Sequence, residues 1–219
     1  MFDPAKAPHD RTTYRRTGFL LSRILANLGA PMPCPLLANW GRPAVQMPSL
    51  TTDWKGQADA QDVGQKEGWQ GPSFDDSAWP GVTVPATYES QRPDLENYLG
   101  LFWYRRTFDM PVLPSDGALA LVIGAVDDED WTYLNGKLLG SITARTNPTD
   151  YYAAERRYAV PAGLQKATGN VLAVRVNNIR GTGGIVRGPI TFQAPGRWLD
   201  SYYIDEAQAG DDPYRYYRW

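Results

Sequence analysis

Four acidic residues in a row, Asp127, Asp128, Glu129 and Asp130, stand between two strand-like stretches of this 219-residue chain. Four adjacent carboxylates cannot be buried unpaired, so they belong on a rim or around a bound group. Carboxylates so placed do one of two kinds of chemistry. Two of them held about 5 Å apart, or ~6.5–9.5 Å apart, can hydrolyse a glycosidic bond. Together with amides, they can instead accept hydrogen bonds from sugar hydroxyls while an aromatic ring covers the apolar sugar face. None of the acids sits in a recognisable catalytic word, so no catalytic residue is assigned and binding is expected. The expected patch is Asp127, Asp128, Trp131, Trp103, Arg105 and Asn178; the alternative is that Trp131 and Trp103 are core and that the acids satisfy arginine and loop amides.

Other chemistries are excluded or unsupported. His9 is the only histidine, which removes His-based triads and multi-histidine metal sites. Cys34 is the only cysteine, so no internal disulfide can form. A net charge of −2 gives no electrostatic case for nucleic acid. The glycines of GTGGIVRGP (Gly181 to Pro189) lack phosphate-cradle spacing and a following helix, which rejects a nucleotide site. No apolar run approaches the ~20 residues of a membrane span.

The elements that must position the patch are strands. Leu119, Leu121 and Ile123 alternate with Ala120 and Val122, which predicts a strand with one buried face. Trp131 to Leu134 is strand material, and Asn135-Gly136 predicts a two-residue hairpin turn into Lys137, Leu138 and Leu139. In Phe102 to Phe108, Tyr104, Arg106 and Phe108 share one face, and Trp103, Arg105 and Thr107 share the other. An arginine on a semi-buried face needs a carboxylate, and Asp127 and Asp128 are the expected partners. Val171 to Val176 is a second core strand, with Leu172, Val174 and Val176 on one face. Asn177 to Arg180 then opens the glycine-rich loop. Gly and Pro, 21 and 18 residues, fit many short strands with punctuated loops better than helices.

Seven words occur in order: FDDSAW (74–79), VTVPATYE (82–89), FWYRRTFDMP (102–111), GAVDDEDWTYLNGKLLG (124–140), RYAVPAGL (157–164), GNVLAVRVNN (169–178) and GGIVRGP (183–189). Together they resemble the sugar-binding jelly-roll domain of glycoside hydrolases of the β-galactosidase and β-glucuronidase type. The resemblance covers roughly residues 54–192. It implies an all-β fold, an antiparallel galactose-binding-domain-like β-sandwich, acting as a non-catalytic carbohydrate-binding accessory module. Asp127, counted back from Asn135-Gly136, falls where some β-galactosidases place a polar residue that reaches the sugar in the adjoining catalytic site. The second sugar-facing acid of those enzymes, expected after Val176, has no counterpart, and Gly181 stands near its place.

The implied partners are an oligo- or polysaccharide and a glycoside hydrolase catalytic chain, because the catalytic barrel that would follow such a domain is missing. A structural domain without sugar affinity and a small polysaccharide-active hydrolase are the competing readings. No cofactor is expected. Galactose-binding-like folds imply a structural calcium, for which Asp75-Asp76 would supply two of the ~6–8 oxygens required; the alternative role for those acids is to cap a helical turn.

Three segments are expected. Residues 51–193 form the sandwich. Residues 1–50 carry Arg15-Arg16 before a short apolar run, a pattern of a degenerate export signal and hence of an extracytoplasmic location, or else of a short amphipathic helix with a flexible tail. Residues 194–219 form an irregular aromatic tail.

Overall fold

The computed structural model describes residues 24, 25, 27–29, 47–111 and 119–193. The expectations for the export-like segment, Cys34 and the aromatic tail lie outside the described residues, apart from a helical turn closed by Leu28 N–H donating to Ile24 O at 3.0 Å. The rest of the description concerns the compact unit Val45–Arg197.

That unit is a sandwich of two antiparallel sheets, as expected. The strands are β1 (Trp54–Ala58), β2 (Gly81–Val82), β3 (Ala86–Thr87), β4 (Gly100–Phe108) and β5 (Leu119–Asp127), then β6 (Glu129–Leu134), β7 (Lys137–Ile142), β8 (Arg156–Val160), β9 (Asn170–Asn178) and β10 (Gly184–Gln193). One sheet has the order β2-β1-β4-β9-β6-β7 and the other β3-β10-β5-β8. The chain leaves the first sheet after β2 and enters the second at β3, with Val84-Pro85 between them; Pro85 cannot donate to a ladder and ends the pairing.

The interior between the sheets is built by alternation. Phe102, Tyr104 and Phe108 of β4 meet Leu172, Val174 and Val176 of β9 and, from the second sheet, Leu121, Ile123, Ile190 and Phe192. Trp54 anchors β1 in this core and donates its indole N–H to Leu50 O at 2.7 Å. The β6–β7 hairpin turns at Asn135-Gly136 with φ of 50° and 84°, the left-handed pair that its turn type demands.

Two strand expectations change. β5 is buried on both faces, Ala120 and Val122 included. Most of the glycine-rich stretch is strand, not loop. β10 begins at Gly184 and carries its irregularity as register shifts on either side of Arg187. Gly188 presses its carbonyl against β5 at Gly124, where any Cβ would collide with it. The true loop is only Ile179–Gly183.

Candidate functional site

One end of the sandwich gathers several strand termini. Gly184, the first residue of β10, pairs with both Asp127 at the end of β5 and Thr87 at the end of β3. Gly100, the first residue of β4, pairs with Asn178, the last of β9. The residues just beyond those termini, Tyr88, Glu89, Asp128 and the loop Ile179–Gly183, therefore converge.

Polar bonds hold this corner closed. Asp128, 2% exposed, accepts from the backbone N–H groups of Ile179 at 2.8 Å and Arg180 at 3.1 Å through Oδ2. Glu89 accepts from Gly183 N–H at 2.9 Å and from the Asn178 carboxamide at 3.4 Å, both through Oε1. Asn178, also 2% exposed, donates further to Tyr88 Oη at 2.9 Å, Tyr98 O at 3.1 Å and Gly181 O at 3.2 Å. Two carboxylates and an amide thus lash one five-residue loop to strands of both sheets. Glu89 Oε2 and Asn178 Oδ1 are buried and have no hydrogen-bond partner among the described residues.

Asp127 differs from its neighbours. It is partly exposed and has no loop N–H to accept. Burial, the hydrogen bond to Asp128, and the charges of Asp128 and Glu89 push its carboxyl up to about 7, against the pull of Arg156. The corner therefore holds two carboxylates committed to backbone donors and a third that takes up a proton near neutrality.

Beneath the corner lies a closed ionic network. Arg156 and Asp130, both fully buried, pair at 2.9 Å. Tyr158 donates its hydroxyl to Asp130 at 2.9 and 3.0 Å, and Thr132 donates at 2.7 Å. The remaining guanidinium N–H groups reach Asp128 O at 2.9 Å, Tyr151 O at 2.6 Å and Ala154 O at 2.6 Å. The network ties β6 to β8 across the sandwich and fixes the backbone that carries Asp128.

Three of the six residues expected in the patch lie here: Asp127, Asp128 and Asn178. The other three lie on the outer face of the six-stranded sheet. Trp103 is fully buried in a second cluster with Trp69, Tyr133 and Ala173, and its indole N–H donates to Asp59 at 3.0 Å. Arg105, 1% exposed, does not pair with Asp127 or Asp128. It pairs with Asp76 at 2.9 Å and donates to the carbonyls of Trp69, Gly71 at 3.1 Å and Phe74 at 3.3 Å. Trp131 is partly buried, with the Arg175 guanidinium 4.8 Å from its ring centroid and Asp62 2.7 Å from that guanidinium.

The reason is one segment of chain. Residues 59–80 fold over that face, with Trp69 and Trp79 packed edge to face at 5.0 Å, and cover the rings that would otherwise meet solvent. Asp76 is fully engaged by Lys55 and Arg105, while Asp75 accepts from Ser77 N–H two residues on. Asp75 thus caps the single turn closed by Trp79 N–H donating to Asp76 O at 3.0 Å, and Asp76 is an ion-pair anchor. Among the described residues no group of three His, Cys, Asp or Glu is placed to hold a metal ion.

Glu89 was not among the expected site residues. Its signal was weak: a single acid after the VTVPATY stretch, whose partners Gly183 and Asn178 are about ninety residues away.

The sandwich and its order of strands define an accessory all-β domain of the glycoside hydrolase kind. Residues 64–181, more than half of the chain, match the model of the β-galactosidase second all-beta domain, and the chain belongs to that family. Among solved structures, the β-glucuronidase of Ruminococcus gnavus is 23% identical with a TM-score of 0.51, over 61% of this chain and 22% of that one. The β-glucuronidase of Bacteroides uniformis is 23% identical with a TM-score of 0.52, over 68% of this chain and 17% of that one. At such identity the likeness is one of fold, and this chain spans about a fifth of either enzyme's length. No curated protein matches the chain. Among the described residues no helix is long and apolar enough to cross a membrane.

Proposed function

We propose that the chain is a non-catalytic saccharide-recognising module that works beside a glycoside hydrolase catalytic domain. The observation that carries this reading is the convergence of Asp127, Asp128, Glu89 and Asn178 at one end of the sandwich. Asp127 is the partly exposed carboxyl there, and it presents hydrogen-bonding capacity toward a ligand. Asp128, Glu89 and Asn178 hold the loop that frames it. A carboxyl that titrates near neutrality can donate to or accept from a sugar hydroxyl. Export to an extracytoplasmic compartment, where polymeric glycans are met, belongs to the same proposal.

Isothermal titration of the full chain with β-1,4-galactobiose and with methyl β-D-glucuronide tests it. Binding of either sugar, weakened by Asp127→Ala with the thermal transition unchanged, is the expected result. Absence of binding to both overturns saccharide recognition by the isolated chain.

A second reading has its own support. Trp103 and Arg105, residue types that serve as sugar platforms when exposed, are wholly engaged in packing and ion pairing. A domain that only docks to a catalytic partner needs no such platforms. Co-purification with a barrel-bearing chain, together with no glycan affinity, would favour it.

A further inference from the structure

The corner described above has hydroxyl-binding groups but no ring from the expected list. Trp103 is buried, and Trp131 lies on another face beneath Arg175. Among the described residues, Tyr152 is the only aromatic among the exposed large apolar side chains, at 44%. Its position is fixed by the backbone around it. Arg156 Nη2 donates at once to Asp128 O at 2.9 Å and to Tyr151 O at 2.6 Å. Arg187 Nη2 donates at once to Gly124 O at 3.2 Å and to Ala153 O at 2.7 Å. Two guanidinium groups therefore staple residues 151–153 alongside residues 124–128. Tyr151 then braces Tyr152 edge to face, with ring centroids 5.7 Å apart.

We infer that Tyr152 is the stacking platform of the acidic corner, covering the apolar face of a pyranoside whose hydroxyls reach Asp127. This rests on the saccharide reading and adds to it the ring that the reading lacks. A ring at the edge of a polar corner suits a sugar, which has one apolar face and a polar rim. A rigid, half-exposed tyrosine also loses little side-chain freedom on binding. The staple matters because a platform on a free loop would have to be ordered by the ligand, at a cost in affinity. Asn178 supports a ligand-facing corner independently. Its carboxamide is 2% exposed and lies against Glu89, yet its Oδ1 finds no donor among the described residues.

The experiment is titration of the full chain and of Tyr152→Ala and Tyr152→Phe with β-1,4-galactobiose and methyl β-D-glucuronide. Thermal melts run in parallel. Tyr152→Ala is expected to weaken binding by about tenfold and Tyr152→Phe by less than about threefold. All three proteins should melt together, since the side chain is exposed. Wild-type binding that Tyr152→Ala leaves unchanged overturns the platform and leaves the saccharide reading standing. A wild-type chain that binds neither sugar overturns both. Equal losses in the Ala and Phe variants overturn stacking in favour of a hydroxyl contact. A response to only one of the two sugars identifies which pyranoside the corner takes.

Discussion

The acidic corner and the aromatic outer face carry similar residue types and use them in opposite ways. At the corner, acids and an amide sit where strands end, and they hold a short loop through backbone N–H groups. On the outer face, Trp103, Arg105 and Asp76 are covered by residues 59–80 and act as a second small core. From sequence alone, Trp103 and Arg105 on the outer face and the acids and amide of the corner look equally fit to bind a ligand. What separates the two is whether another piece of chain lies on top. Burial converts a ligand platform into packing energy, as it does for Trp103.

The largest expected effect is on the outer face. Trp103→Ala should cost about 3–5 kcal/mol of unfolding free energy, by urea denaturation, because it opens a large cavity and leaves Asp59 without its indole donor. Ligand affinity of the folded fraction should not change. A Trp103→Ala protein as stable as wild type would mean that the outer face is not a core. Next, Asp76→Ala should cost about 1–3 kcal/mol by leaving Arg105 buried without its carboxylate. The pair is partly open on the Asp76 side, which keeps the loss below that of a fully enclosed pair.

At the corner the effects are smaller and local. Asp128→Ala should cost about 1–2 kcal/mol and speed hydrogen exchange at the Ile179 and Arg180 amides, whose acceptor it removes. Protection of those amides unchanged from wild type would show that the loop holds itself.

The smallest effect is the pH dependence of Asp127. Its folded carboxyl lies near 7, above the ordinary value of 3.8, so the folded state holds this proton more tightly than the unfolded chain. Between about pH 4 and pH 7 the unfolded state therefore binds fewer protons, and this group's contribution makes stability fall as pH rises. Above about pH 7 the loss is complete. Asp127→Asn should remove that slope and gain under about 1 kcal/mol at pH 8, given solvent screening of a partly exposed group. A slope that persists in Asp127→Asn would show that Asp127 is not the group that titrates.

Much of the fold was legible because its signals are local. The strands at Leu119–Ile123 and Val171–Val176, the Asn135-Gly136 turn and the two faces of Phe102–Phe108 all depend on neighbours in sequence and stand in the structure, although β5 is buried on both faces where its alternation predicts one. Gly184–Pro189 departs from expectation because its glycines and proline, residues that favour loops, here serve a bulged strand pressed against Gly124. At the site, Asp127, Asp128 and Asn178 were legible because strand ends and loops can be located from pattern. Trp103 and Arg105 were misplaced because nothing local says that residues 59–80 return over β4.

By itself, then, the order of residues determined the core strands β4, β5 and β9, the hairpin and the run of acids at the end of β5, since alternation and turn chemistry act within a few residues. Only the tertiary structure decided which aromatic rings stay in water, that Arg105 meets Asp76 and not Asp127, and that Glu89 joins Asp128 in holding the loop Ile179–Gly183. Those outcomes depend on segments tens of residues apart meeting at one place, and burial there is set by what covers a side chain rather than by its type.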